Sequence, residues 1–237
     1  QRGFEPSRDE GYSTDLIADE SVRFIRQHAG KAKPFFLYVP FNAPHDPLQL
    51  PDKWRDAYAS IADPDRRTYA GMVAAMDAGV GRILAALDEA GVADDTVVWF
   101  TSDNGGARHG DNRPLRAGKG TLYEGGIRAA AAVRWPKGLE GGRKVAEPLS
   151  YLDVWPTFAR LAGLTPKAGP GKPLDGFDVW ETIRGERPAP ARPIYSYFER
   201  YQGEMLAVTE FPWKLVRQGP PILGPNPADA PPPGMRA

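Results

Sequence analysis

Three polar strings in the sequence combine residue types that could bind an anion or a metal ion. In the string SDNGG at 102–106, Asp103 and Asn104 place a carboxylate and an amide oxygen beside two glycines. These hard oxygen ligands suit calcium or magnesium, whereas a chain with 3 histidines and no cysteine is poorly equipped for zinc. An isolated string of this kind is also typical of a turn that closes a strand.

His45 and Lys119 are the other candidate site residues. His45 lies between Pro44 and Pro47, in a stiff loop that suits a residue meeting a substrate at fixed geometry, although a loop histidine can also be ordinary surface. Lys119 is flanked by glycines and can present its ammonium to an anion without steric hindrance, or remain a solvated charge. The GxxxxGK[ST] spacing of phosphate-binding loops is not met.

The predicted helices and strands place these residues at one edge of a sheet. Hydrophobic periodicity predicts helices over 13–29, 65–90, 151–161 and 178–184, and buried strands over 35–39, 96–101 and 127–133. This alternation predicts an α/β fold with a mostly parallel sheet flanked by helices. Because ligands gather at the carboxyl ends of such strands, we expect Asp103, Asn104, His45 and Lys119 to converge around one oxyanion pocket.

The pattern changes beyond residue 187. Short alternating segments at 194–199, 205–209 and 213–217 predict a small C-terminal antiparallel sheet. We therefore predict a catalytic portion over 1–186, an antiparallel subdomain over 187–218 and a disordered Pro-rich tail over 219–237. Equal numbers of basic and acidic residues, 30 of each, argue against a nucleic-acid partner. Without a run of roughly 20 apolar residues, no membrane span is predicted.

Six strings occur in the order seen in type I sulfatases, and the resemblance extends over about residues 11–183. They are FNAPHDPLQLP, YAGMVAAMDAGVGRIL, SDNGG, GKGTLYEGGIR, YLDVWPTFARLAG and KPLDGFDVW. The chain most resembles the arylsulfatase B (N-acetylgalactosamine-4-sulfatase) branch. The resemblance implies an alkaline-phosphatase-like fold and a sulfuric ester hydrolase. It also implies a sulfated small molecule or carbohydrate as substrate and a periplasmic or secreted location.

The resemblance also implies roles for the four residues. Asp103 and Asn104 resemble metal ligands, for Ca²⁺ rather than Mg²⁺, and His45 and Lys119 resemble catalytic residues that contact the sulfate. The nucleophile of the family is a formylglycine made from Cys or Ser in a C/S-x-P-x-R motif. The string FEPSR at 4–8 has only the ending of that motif, because Phe4 cannot become an aldehyde.

We therefore expect an N-terminally truncated fragment that is inactive alone and whose sheet is incomplete. Glu124 and Arg128 are assigned to the architecture of their loop. Two alternatives remain open: a phosphonate or phosphodiester hydrolase of the same superfamily, and a non-catalytic carbohydrate-binding remnant.

Overall fold

The computed structural model describes residues 8–200 and 203–219. Within them the chain forms two compact units, one from 8–99 with 133–138 and the other from 100–132, 139–200 and 203–219. The predicted tail over 219–237 lies outside the described residues, apart from Gly219.

Two long helices dominate the first unit, α1 (Ser13–His28) and α2 (Pro64–Glu89). Both agree with the predicted helices to within a residue. The connecting segment contains two short 3-10 helices, Asp52–Trp54 and Asp56–Tyr58. Gly91 follows α2 with φ of +67°, a left-handed conformation that terminates a helix at little cost for glycine.

Small residues lie at the contact between the two helices and make up most of the buried stripe of α2. Ala18 on α1 is fully buried, and a Cβ at Gly79 on α2 would lie 3.4 Å from the Ala18 Cβ. The buried residues of α2 are Gly71, Met72, Ala75, Gly79, Ala86 and Leu87. Small side chains let two helix backbones pack closely, and several bulkier apolar residues of α2, among them Met76, Ile83 and Leu84, are partly buried.

The segment over 35–39 does not pair into a sheet among the described residues, contrary to the strand prediction. Phe35 and Leu37 pack against the cluster formed by Ile25, Ala86, Leu87 and Ala93, whereas Phe36 and Tyr38 are 72% and 76% exposed. The alternation marks one buried face, as in a strand. A sheet also requires a partner strand, and the pattern of one segment cannot indicate whether the partner is there.

Helix α2 is the one helix in the described part of the chain that could cross a membrane by length and composition alone. Core helices of soluble proteins pass the same test, and α2 packs against α1 through a buried stripe. The expected absence of a membrane span remains a prediction.

Two short strands, β1 (Val98–Thr101) and β2 (Ala131–Arg134), are neighbours in a two-stranded sheet. β1 begins two residues later than predicted, following a 3-10 turn at Ala93–Asp95. β2 begins four residues later than predicted, because Glu124–Ile127 forms a short helix, α3. The glycine-rich sequence EGGI therefore forms the helical turn itself, and Ile127 ends it instead of beginning a strand.

The remaining elements of the second unit agree with the sequence analysis. Helix α4 (Val154–Leu161) follows a 3-10 turn, and α5 (Trp180–Arg184) ends at Gly185. Strands β3 (Ile194–Arg200), β4 (Gly203–Glu210) and β5 (Trp213–Gly219) form an antiparallel sheet in the order β3-β4-β5. The predicted C-terminal antiparallel sheet is thereby confirmed, whereas the predicted domain boundaries remain a prediction.

Candidate active site

Backbone hydrogen bonds join the loop after β1 to the loop that carries Lys119. We call residues 102–106 the SDNGG loop and residues 116–126 the lysine loop. The Gly105 amide donates to the Gly126 carbonyl at 2.8 Å, and the Lys119 amide donates to the Gly106 carbonyl at 3.1 Å. The structure therefore brings the backbones of Asn104 and Lys119 into one hydrogen-bonded arrangement within the second unit.

Two glycines make this close approach possible. A Cβ at Gly105 would lie 1.7 Å from the Gly125 carbonyl oxygen, and a Cβ at Gly118 would lie 2.6 Å from the Gly106 carbonyl oxygen. Both distances are below any contact that a side chain can make with backbone. Glycine is therefore required on both loops, one reason for the glycine-rich strings in the sequence.

The side chain of Asn112 also fixes the junction of the two loops. The sequence patterns did not indicate this residue. Its side-chain Oδ1 accepts a hydrogen bond from the Gly106 amide at 2.8 Å, and its Nδ2 donates to the Gly106 carbonyl at 2.8 Å. Through this pair of bonds the Asn112 amide group binds the Gly106 backbone as the backbone of a neighbouring strand would. No spacing rule could have indicated Asn112, because the contact depends on the path of the loop between 106 and 118.

The turn after β1 leaves the side chains of Asp103 and Asn104 available. The Ser102 hydroxyl donates to the Asn104 carbonyl at 2.8 Å, and the Ser102 amide donates to the Ala130 carbonyl at 3.0 Å. Asp103 is exposed and Asn104 half-buried, and neither side chain has a hydrogen bond or ion pair among the described residues. The predicted turn thus exists, and it fixes the backbone of both residues while their side chains form no hydrogen bond or ion pair in the described part of the chain.

The donor set at this turn fits part of a hard-cation site. A carboxylate and an amide oxygen are ligands that calcium and magnesium prefer, and calcium takes about six to eight oxygens in all. In the part of the chain that the structure covers, no group of three or more His, Cys, Asp or Glu side chains could hold a metal ion. Asp103 and Asn104 by themselves could supply only a portion of such a coordination shell.

Lys119 lies in a loop that packs against the C-terminal sheet. Its side chain is exposed and has no hydrogen-bond or ion-pair partner within residues 8–200 and 203–219. Three residues along the loop, Leu122 is buried against Met205 and Ala207 of β4. The lysine loop is thus seated on the C-terminal sheet, which leaves the ammonium of Lys119 open to an anion.

Glu124 serves the architecture of this loop, as the sequence analysis proposes. Its Oε2 lies 3.8 Å from Arg128, an exposed and long contact, whereas its Oε1 accepts a hydrogen bond from Lys214 of β5 at 2.7 Å. The stronger partner is therefore 90 residues away, beyond what local spacing could indicate.

His45 lies in the first unit, in an exposed loop position. Its amide donates to the Asn42 carbonyl at 2.9 Å, and its Nδ1 lies 2.8 Å from the Asp46 carbonyl oxygen. A carbonyl can only accept, so Nδ1 carries the proton and Nε2 is the ring nitrogen open to a substrate. The convergence of His45 with Asp103, Asn104 and Lys119 remains a prediction.

Comparisons with known proteins identify the class to which this fold and site belong. The sulfatase family profile matches residues 1–164. Steryl-sulfatase of Mus musculus is 42% identical over 195 residues, covering 75% of this chain and 28% of that protein. N-acetylgalactosamine-6-sulfatase of Homo sapiens is 35% identical over 193 residues, covering 78% of this chain and 34% of that protein. The chain belongs to the sulfatase family.

Among solved structures, Ps i-CgsB in complex with k-i-k-neocarrahexaose matches with a TM-score of 0.85 and 39% identity, covering 91% of this chain and 48% of that one. The alkaline-phosphatase-like fold and the type I sulfatase family are thereby confirmed. The chain spans about a third of the length of the curated relatives named above, 28% and 34%. Sulfatases of this family generally use a metal ion and a formylglycine. The arylsulfatase B branch remains a prediction.

Proposed function

We propose that the protein containing this chain hydrolyses sulfate monoesters, with a sulfated carbohydrate or sulfated small molecule as substrate. The observation that carries the proposal is the junction of the SDNGG and lysine loops. It fixes the backbones of two candidate metal ligands and one candidate anion-binding lysine, whose side chains have no partner in the described chain. Family membership supports the same conclusion.

Each residue has a distinct role in this proposal. Asp103 and Asn104 would hold a cation, Ca²⁺ rather than Mg²⁺, and the ion with the formylglycine of the complete protein would supply charge neutralisation and the nucleophile. Lys119 contacts a sulfate oxygen and stabilises the charge that develops there. His45 contacts the leaving-group oxygen through Nε2.

The same family membership supports a proposal for the substrate and the location. Relatives named N-acetylgalactosamine-6-sulfatase and steryl-sulfatase indicate sulfated sugars or steroids as the substrate class. We propose a carbohydrate sulfate and a periplasmic or secreted location, without a nucleic-acid partner.

The test uses the full-length protein that contains this chain, with an aryl sulfate and a phosphonate monoester as substrates. We expect Lys119→Met to lower kcat/KM for the aryl sulfate about 100-fold or more, the typical loss when one group that stabilises transition-state charge is removed. Asp103→Ala should abolish turnover at low calcium and recover part of it at high calcium. Lys172→Met, which changes an exposed lysine in the loop between α4 and α5, is the control.

Three results would contradict the proposal. Normal aryl sulfate turnover by Lys119→Met and Asp103→Ala would refute the assigned roles. Turnover of the phosphonate in preference to the sulfate would favour the phosphonate hydrolase alternative. Calcium binding by this chain without turnover in the full-length protein would favour the non-catalytic carbohydrate-binding alternative.

A further inference from the structure

The segment 107–119 is locally basic in a chain whose net charge is zero. It carries one acidic residue, Asp111, and four cationic residues: Arg108, Arg113, Arg116 and Lys119. Asp111 holds Arg113 through bonds from Nε at 2.9 and 3.1 Å, and this contact raises the pKa of Arg113. Asp111 can neutralise only one of the four cationic residues, so the segment keeps a net positive charge.

Arg116 is held by the loop through both its side chain and its backbone. Its guanidinium lies 3.9 Å from the centre of the Tyr123 ring, and Tyr123 packs against the buried cluster of Leu122, Met205 and Ala207. Its carbonyl accepts a hydrogen bond from the Gly125 amide at 2.8 Å. Backbone and side chain are thus both fixed, although the residue is exposed.

The stacked guanidinium still has binding capacity. Stacking engages the flat face of the group, whereas its N–H donors lie along the edge. Within the described residues Arg116 forms no ion pair. A fixed guanidinium with open N–H donors is suited to bidentate recognition of an oxyanion, because little conformational freedom is lost on binding.

We propose that Arg116 binds a second oxyanion of the substrate, beside the sulfate that is hydrolysed; this inference rests on the proposed function. Arg116 precedes Lys119 by three residues, so their Cα atoms can lie at most about 11 Å apart. Neighbouring anionic groups on one or two sugar rings have separations of this order. The substrate is accordingly a polyanionic saccharide, and the second group is either a further sulfate ester or a uronic-acid carboxylate.

The test compares paired substrates in the full-length protein at low ionic strength. One pair is a disulfated saccharide and its monosulfated counterpart, and the other is a monosulfated disaccharide with and without a uronic-acid carboxylate. We expect Arg116→Met to reduce the preference for the dianionic member of one pair about tenfold or more, through KM. The pair that responds identifies the second group. Arg116→Lys should recover part of the preference, since it keeps the charge.

Arg113→Met is the matched control, because Asp111 already engages that arginine. It should leave both preferences unchanged. Methionine at 116 retains an apolar stem over Tyr123, so thermal unfolding of Arg116→Met should match the unchanged protein. Equal losses on both members of each pair, or no loss on either, would overturn the proposal.

A separate measurement distinguishes this inference from the proposed function. If the full-length protein turns over no sulfate ester, the proposed function fails. Calorimetric binding of the disulfated saccharide to the chain then tests the Arg116 contact without depending on turnover. Weaker binding by Arg116→Met than by Arg113→Met would support the second oxyanion contact, and equal binding would refute it.

Discussion

Lys214 donates a hydrogen bond to Glu124 at 2.7 Å and so joins β5 to the helical turn that follows Lys119. The Lys214 side chain is 14% exposed and that of Glu124 40% exposed, which places the pair at the edge of the interior. Together with the packing of Leu122 on β4, it makes the C-terminal sheet a support for the lysine loop. The sheet therefore contributes to the geometry of the candidate site without lining it.

Replacing Lys214 should weaken this support. We expect Lys214→Met to lower the free energy of unfolding by about 1–2 kcal/mol, because it removes a charge-assisted hydrogen bond from a partly desolvated carboxylate. Urea unfolding followed by circular dichroism measures the change. Arg128→Met is the control: Arg128 is 63% exposed and 3.8 Å from the same carboxylate, so its loss should cost less than about 0.5 kcal/mol. Equal effects of the two substitutions would contradict the assigned support.

A methyl group at Gly105 should separate the two loops. The added Cβ would lie 1.7 Å from the Gly125 carbonyl, and backbone cannot yield as a flexible side chain can. We expect Gly105→Ala to destabilise the protein by about 2–3 kcal/mol and to weaken calcium binding at Asp103 and Asn104. Gly141→Ala is the control, because no atom lies within 4 Å of its Cβ. Calcium affinity equal in both variants would show that the junction does not position the ligands.

The two nitrogens of His45 should be separable by substitution. Asparagine can imitate the Nδ1 donor that bonds to the Asp46 carbonyl, whereas glutamine can place an amide near the open Nε2. If Nε2 contacts the leaving group, His45→Asn should lower kcat/KM for an aryl sulfate about 100-fold in the full-length protein. His45→Gln should retain more activity, because contact is preserved without proton transfer. The reverse order would assign the function to Nδ1.

Asp153 should be the most sensitive carboxylate of the second unit. It is fully buried, accepts hydrogen bonds from the Ser150 amide at 2.8 Å and the Phe177 amide at 2.9 Å, and is paired with Arg192. We expect Asp153→Asn to cost about 3–5 kcal/mol, because it leaves the Arg192 charge without its partner in a desolvated position. Chemical unfolding provides the measurement. Arg160→Gln, which removes an exposed contact to Asp178 at 3.7 Å, should cost less than about 1 kcal/mol.

A small loss for Asp153→Asn would mean that the ion pair is dispensable for folding. In that case the asparagine oxygen would still accept a hydrogen bond from one of the two amides, Ser150 or Phe177, and the loss of the other bond would be tolerated.

Local signals predicted the elements better than the contacts between them. The helices α1 and α2 are evident from apolar spacing, and the C-terminal sheet from its period of two. The segment over 35–39 has the alternation of a strand, yet pairing is a property of two segments. The contact between α2 and α1 illustrates the same limit, since it includes Gly79, a residue with no hydrophobic signal.

For the candidate site, too, the sequence indicated individual residues but not the contacts that hold them. Asp103, Asn104, His45 and Lys119 could be nominated because their types and flanking glycines or prolines suggest chemistry. Asn112 and Lys214 hold the loops of the site in place. Neither has a local sequence signature, because their contacts are long-range or depend on the path of a loop. Arg116 lies two residues before the string GKGTLYEGGIR, and only the stacking on Tyr123 shows that its guanidinium is fixed.

The contact between Gly105 and the Gly125 carbonyl has a consequence for protein engineering. A chimera that imports one of these loops from a homologue would pair it with a foreign backbone, and a mismatch of even one ångström would produce a steric collision. The two loops therefore form a single transplantable module. Attempts to alter substrate preference should exchange 102–126 as one block or change only side chains that project from it.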